Sequence, residues 1–171
     1  MPKLSTAIAM PASQNCYSAR MTDPSILSPD DLPQLAARLQ HATQANSWLV
    51  ACLCAAWCGT CREYRQPFAA LSQRYPDACF VWIDIEEHPD ALGDLDVENF
   101  PTLLIQPAGL DGQAKPAGFF GTVLPHADLL ARLLEQITTT TAHAPRLPDE
   151  TPPTLEWLRE QVERAGLAPA D

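Results

Sequence analysis

The chain lacks the features that would connect it to nucleotides, nucleic acids or membranes. Only seven of its 171 residues are glycine, and they form no glycine-rich loop of the kind that holds phosphate groups. Lys and Arg number 11 against 21 acidic residues, and the resulting net charge of −10 opposes binding to nucleic acid or to an anionic membrane. No apolar run approaches the roughly 18 residues of a membrane span. We therefore expect a globular protein without nucleic-acid or membrane partners.

Cysteine is the unusual component of the sequence. Four of the six cysteines fall within one ten-residue stretch, and two stand apart: Cys52, Cys54, Cys58 and Cys61, then Cys16 and Cys79. Secreted domains built on disulfides are smaller and distribute their cysteines among loops. A close C-x-x-C pair amid alternating strands and helices instead indicates redox chemistry. Because residues 1–14 are less apolar than a secretory signal, we expect a cytoplasmic protein, with the periplasm as the alternative.

Hydrophobic periodicity predicts elements in the order α-β-α-β-α-β-β-α. Apolar runs predict strands over 48–54, 79–85, 102–106 and 119–123. Helical spacing predicts a helix that begins near Pro29 and is capped by Asp30 or Asp31, and further helices after residue 58, over 90–95, after Pro125 and over 154–165. A helix joins the first two strands, so they should be parallel.

Composition divides the chain into three parts. Residues 1–28 are predicted to be a flexible leader, 29–137 a domain, and 138–171 a proline-rich linker with a short helix. That helix carries Leu155, Leu158 and Val162 on one side. Amphipathic helices usually cover a core, so docking on the domain is favoured over binding a partner.

Two motifs carry a resemblance to a known family. The stretch Trp57-Cys58-Gly59-Thr60-Cys61-Arg62 resembles the Trp-Cys-Gly-Pro-Cys-Lys active site of the thioredoxin family, and Asn99-Phe100-Pro101-Thr102 resembles its cis-proline loop. The resemblance covers about residues 29–137. It implies an α/β, thioredoxin-like fold, which is a central mixed sheet with helices on both faces.

The resemblance also implies a thiol–disulfide oxidoreductase with a redox-active centre. Cys58 would be the nucleophile, because the start of a helix favours the thiolate, and Cys61 would resolve the mixed disulfide. Substrate binding and support would fall to five neighbours: Trp57, Gly59, Thr60, Phe100 and cis-Pro101. The expected function is reduction of protein disulfides in cell redox homeostasis, with electron transport from an upstream reductase. A monomer is expected, with no metal and no cofactor beyond the Cys58–Cys61 disulfide.

Several positions depart from the family pattern. Thr60 replaces a proline between the cysteines and should tune the reduction potential. Cys52 stands where the family has a buried Asp, and Trp82 where it has a Lys near that Asp. The family therefore lends no proton-transfer carboxylate, and the sequence indicates a divergent member.

The sequence leaves open three alternatives to a protein-disulfide reductase. The pattern C-x-C-x3-C-x2-C is typical of zinc or iron–sulfur sites. Against it, Cys52 and Cys54 should lie about 6.6 Å apart on one strand face, too far for neighbouring ligands of one tetrahedral ion. A binding module without enzymatic activity is the second alternative, and retention of both cysteines, Trp57 and Pro101 opposes it. An exported oxidoreductase in cytochrome or disulfide maturation is the third.

Overall fold

The computed structural model describes residues 26–109, 115, 117–139 and 151–167. Most of the predicted leader and most of the predicted linker lie outside these residues. The division of the chain into leader, domain and C-terminal segment therefore stays a prediction.

A four-stranded mixed sheet forms the centre of the fold, as predicted. Its strands are β1 (Trp48–Cys54), β2 (Cys79–Asp84), β3 (Thr102–Pro107) and β4 (Phe119–Thr122). They lie in the order β2-β1-β3-β4. β1 is parallel to β2 and antiparallel to β3, and β4 is antiparallel to β3. The parallel pair confirms the crossover expected from the helix between the first two strands.

The helices also follow the predicted order, with differences at their ends. They are α1 (Leu32–Gln44), α2 (Gly59–Ser72), α3 (Ala127–Thr139) and α4 (Thr154–Arg164). Asp31 is the N-cap residue of α1, yet its carboxylate accepts a bond from the Ser28 backbone N–H and none from the helix. The helix predicted over 90–95 is wrong, since only a 3-10 turn forms at Pro89–Ala91. Gly93 follows it with φ of +61°, a conformation that ends the turn.

The alternation of β1 divides the core into two layers. Val50, Cys52 and Cys54 face α2 and α3, whereas Leu49, Ala51 and Leu53 face α1 and α4. All six of these residues are buried. Because neighbouring residues of a strand point to opposite faces, helices must cover both sides of the sheet. The predicted arrangement of helices on both faces is thereby confirmed.

The fourth helix completes the layer that contains α1. Leu155, Leu158 and Val162 are buried, as docking on the domain requires. The Thr154 hydroxyl donates to the carbonyl of Ala91 at 2.8 Å, and the Arg159 guanidinium donates to the carbonyl of Ala108 at 2.6 Å. These bonds fix both the start and the middle of α4 against the domain.

Two residues before α1 also belong to the packed structure. Ile26 and Leu27 are buried, and Leu27 forms a parallel bridge with Val81 of β2. The Leu27 N–H donates to the Phe80 carbonyl at 3.1 Å. Packing therefore extends three residues ahead of residue 29, where the domain was expected to begin.

Truncation of Leu158 tests the contribution of α4. Leu158→Ala removes a fully buried side chain, and we expect it to lower the free energy of unfolding by about 2–5 kcal/mol. Glu163→Ala on the exposed side of the same helix is the matched control, with an expected change within about 0.5 kcal/mol. Urea denaturation measures both. Equal effects of the two substitutions would contradict the docking of α4.

The buried thiol of Cys79 predicts a loss of stability in alkaline solution. Burial raises the pKa of Cys79 from 9.0 to about 12, with a smaller opposing effect from Arg38. Above pH 9 the unfolded chain releases this proton while the folded chain keeps it, so stability falls as pH rises towards 12. By pH 10.5 the loss from this one group is about 2 kcal/mol. Urea unfolding of the reduced protein should show a shallower decline from pH 7.5 to 10.5 in Cys79→Ala.

Candidate active site

The site begins where β1 ends and α2 starts. Cys58 is the N-cap residue of α2, with extended backbone angles of φ −72° and ψ 115°. Its N–H donates to the carbonyl of Ala55 at 3.0 Å, and its carbonyl accepts from the N–H of Arg62 at 3.2 Å. Cys58 is half-buried, whereas Cys52 and Cys79, the other free thiols among the described residues, are buried. The fold therefore places Cys58, the most accessible of these three thiols, at the amino end of a helix.

Two acidic residues, one at the end of β2 and one just after it, hold the loop in front of Cys58. Asp84 accepts a hydrogen bond from the Ala56 N–H at 2.8 Å and another from the Glu86 N–H at 3.0 Å. Glu86 in turn accepts a bond from the Trp57 indole N–H at 2.8 Å. Trp57 is 64% exposed, so this bond fixes a large apolar surface beside the thiol. The sequence motifs did not indicate the roles of Asp84 and Glu86.

The second motif reaches the same end of the sheet. The Phe100–Pro101 peptide bond is cis. Thr102 is opposite Leu53 in the β1–β3 register, so Pro101 lies level with the end of β1. The Phe100 ring meets the Trp57 ring edge-on, with centroids 5.8 Å apart. The structure thus brings together the two sequence motifs, while Gly59 and Thr60 are exposed in the first turn of α2.

The disulfide of the structure differs from the expected one. Cys61 is bonded to Cys54, and Cys58 is a free thiol. The physical reason is the direction of the side chains: Cys54 faces α2 from the end of β1, and Cys61 is buried on the sheet side of α2. The Cα atoms of Cys54 and Cys61 are 6.1 Å apart. The alternation of side chains along a strand predicts that Cys54 and Cys52 share a face. It does not predict that either residue contacts Cys61.

Cys52 lies next to this disulfide. Its Sγ is 3.6 Å from the Sγ of Cys54, so the expected separation of about 6.6 Å does not apply to the sulfur atoms. The two side chains converge although their backbone positions are two residues apart. In the disulfide Cys54 has no hydrogen to donate, so the Cys52 thiol is the donor. Burial raises the pKa of Cys52 well above its ordinary value, and Arg65 opposes this with a smaller effect. Because of the raised pKa, Cys52 stays a neutral thiol.

An aromatic and cationic cluster stands in place of the family lysine. Trp82 is opposite Cys52 in the β1–β2 register, and the Arg65 guanidinium lies 5.1 Å from the Trp82 ring centroid. Phe68 packs against the same ring, at 5.8 Å between centroids. Burial, and secondarily Cys52, raises the pKa of Tyr64. None of these side chains carries a carboxylate.

One group of side chains has the spacing of a metal site. Ligand atoms of Asp30, Glu87 and His88 lie within 4.8 Å of one another. The His88 imidazole is 3.7 Å from the Asp30 carboxylate, and both acidic side chains are exposed. Exposed acidic side chains commonly lie this close together without holding an ion. Among the cysteines, the Cys54–Cys61 bond occupies two of the four sulfur atoms that the metal alternative requires.

The fold and the paired motifs together define a protein of the thioredoxin-fold class. A family model described as Thioredoxin matches residues 35–131, which is more than half of the chain. The chain therefore belongs to the thioredoxin family.

Individual relatives agree with this assignment. Mitochondrial thioredoxin-3 of Saccharomyces cerevisiae is 38% identical over 74 residues, which is 43% of this chain and 56% of that protein. A thioredoxin of Ophiophagus hannah is 32% identical over 72 residues, 42% of this chain and 67% of that protein. The crystal structure of a wild-type poplar thioredoxin h shares the fold at 19% identity, with a TM-score of 0.50, and the alignment covers 68% of this chain and 98% of that one. The chain spans about half to two thirds of the length of these curated relatives.

Differences in exposure predict which thiol reacts first. Cys58 is half-buried at a helix start, whereas Cys52 and Cys79 are enclosed in the core. With a limiting amount of iodoacetamide at pH 7, Cys58 should be alkylated first, because thiolate character and access control the rate. Mass spectrometry of the digested protein measures the order. Preferential labelling of Cys79 with Cys58 unmodified would refute the assignment of the nucleophile.

Proposed function

We propose that this protein is a thiol–disulfide oxidoreductase that reduces protein disulfides through Cys58 and Cys61. The observation that carries the proposal is the half-buried Cys58 thiol at the amino end of α2, with Cys61 one helical turn further on and buried. Cys58 attacks a substrate disulfide and forms a mixed disulfide, which releases one substrate thiol. Cys61 then attacks Cys58, releases the second substrate thiol and leaves the protein oxidised. An upstream reductase returns both cysteines to thiols.

The surroundings of Cys58 suit an extended protein segment as substrate. The Trp57 side chain offers a fixed apolar surface beside Cys58, and the Phe100 ring contacts the Trp57 ring edge-on. Within the described part of the chain, neither the N–H nor the carbonyl of Phe100 is hydrogen-bonded. A substrate strand can pair with these free backbone groups while its disulfide lies over Cys58. Trp57, Gly59, Thr60, Phe100 and Pro101 thus support the two cysteines.

Compartment, partners and cofactor requirement are part of the same proposal. We place the protein in the cytoplasm, as a monomer whose redox centre is its own pair of cysteines. None of the helices in the described part of the chain has the length and hydrophobicity that a bilayer span requires. The Saccharomyces relative is named as a mitochondrial protein.

Substitution of the two cysteines tests the function. In an insulin-reduction assay with dithiothreitol, Cys58→Ser should abolish turnover, because no nucleophile remains at the helix start. Cys61→Ser should form a mixed disulfide with insulin chains that persists on a non-reducing gel. Cys79→Ser is the matched control, since Cys79 lies in the opposite core layer, and it should retain both the rate and the product.

Two results would overturn the proposal. Turnover by Cys58→Ser at the wild-type rate would remove Cys58 from the mechanism. A wild-type protein that binds reduced and oxidised partners but never reduces insulin would establish a binding module in place of an enzyme.

A further inference from the structure

We propose that Cys54 is a third redox-active cysteine, which exchanges with Cys58 for the sulfur atom of Cys61. The oxidised protein then exists as two disulfide isomers, Cys58–Cys61 and Cys54–Cys61. This inference rests on the proposed function of Cys58 and Cys61. It goes beyond that function because it adds a residue outside the C-x-x-C motif and a second oxidised state.

The placement of Cys54 carries the proposal. Cys54 is the last residue of β1, and its side chain faces α2, where it is bonded to Cys61. Their Cα separation of 6.1 Å falls within the range that a disulfide spans without backbone movement. Cys61 is therefore accessible to two thiols, one on the strand below it and one on the preceding turn of its own helix.

The exchange between the two isomers is balanced and needs no outside oxidant. Reduction of a substrate disulfide first leaves the protein with the Cys58–Cys61 bond. The Cys54 thiolate then attacks the Sγ of Cys61, so that the Cys54–Cys61 bond forms and the Cys58–Cys61 bond breaks. Cys58 leaves as a thiolate, and the proton lost from Cys54 ends on Cys58 or in solvent. One disulfide replaces another, and the number of electrons held by the protein does not change.

Cys52 acts on this exchange as a positioning residue. Its Sγ is 3.6 Å from that of Cys54, and burial on all sides keeps it a thiol. When Cys58 attacks Cys61 in the reverse direction, Cys54 must leave as a thiolate in an apolar core. The Cys52 S–H donates a hydrogen bond to that sulfur, which stabilises the leaving thiolate and speeds its departure. This role explains why position 52 holds a thiol where the thioredoxin family has a buried Asp.

Burial distinguishes the two oxidised isomers functionally. Cys54 is 1% exposed and Cys61 is 2% exposed, so an external thiol cannot approach their bond directly. Reduction of that isomer must pass through return of the bond to Cys58, which is half-buried and reachable. The Cys54–Cys61 isomer therefore holds the protein oxidised for longer and leaves Cys58 as a single free thiol.

Disulfide mapping of the full-length protein tests the proposal directly. The protein is oxidised with excess oxidised glutathione or insulin. Exchange is stopped with acid, and free thiols are blocked before the disulfides are reduced and a second label of different mass is added. Trypsin releases residues 39–62 as one peptide with all four clustered cysteines, so fragment ions must assign each label. We expect Cys61 always oxidised, with Cys54 and Cys58 each oxidised in part of the population. A fully reduced Cys54 throughout, or a Cys52–Cys54 bond, would overturn the proposal.

Kinetics of re-reduction provide an independent measurement. Wild-type protein should be reduced by dithiothreitol in two phases, and Cys54→Ala should lose the slow phase. Cys79→Ala, another buried cysteine outside the exchange, is the control and should keep both phases. If Cys54→Ala does not fold, Cys54→Ser, which keeps the size of the side chain, replaces it and should likewise lose the slow phase. A single phase in wild type, or a slow phase that persists in the Cys54 variant, would contradict the exchange.

Failure of this inference can be distinguished from failure of the proposed function. Insulin reduction that depends on Cys58 in a protein whose Cys54 never becomes oxidised would disprove the exchange and leave the oxidoreductase intact. A Cys54–Cys61 bond in a protein that never reduces insulin would disprove the oxidoreductase function. It would also disprove the role of Cys54 in the catalytic cycle.

Discussion

The contact between the end of β1 and the first turn of α2 sets the geometry on which the site depends. β1 is paired on both edges, and its residues from Leu49 onwards are buried, so its position cannot shift without disturbing both core layers. Cys54 ends this strand and is bonded to Cys61. The packing of Cys61 against the end of β1 anchors the start of α2 to the most constrained part of the molecule. Cys58 and Trp57 project from the short segment between the two fixed points.

Much of this arrangement could be predicted from the sequence, because it depends on local patterns. The continuous apolar run over Trp48–Cys54 predicted a buried strand with its bounds, and helical spacing placed all four helices. The short helix predicted over 90–95 was wrong because Gly93 adopts a left-handed conformation that ends the turn begun at Pro89. The two motifs also indicated the end of the sheet at which the site forms.

The partners within the site depend on distances between separate elements, which local patterns do not supply. Alternation places Cys52 and Cys54 on one face, but only the packing of α2 decides that Cys54 meets Cys61. The bond between Trp57 and Glu86 likewise joins a loop after β1 to a loop after β2. The arrangement of the thiols at this site follows from tertiary packing, whereas the proposal of Cys58 as the nucleophile follows from its position at a helix start.

The location of α4 has a consequence for synthesis of the chain. The layer of core that contains Leu35 and Leu104 is completed only by Leu155, Leu158 and Val162. On the ribosome, the redox motif and the whole sheet leave the exit tunnel well before these three residues. The nascent chain therefore carries an uncovered apolar face until residue 162 has emerged, and chaperones that bind exposed hydrophobic segments can protect it during that interval.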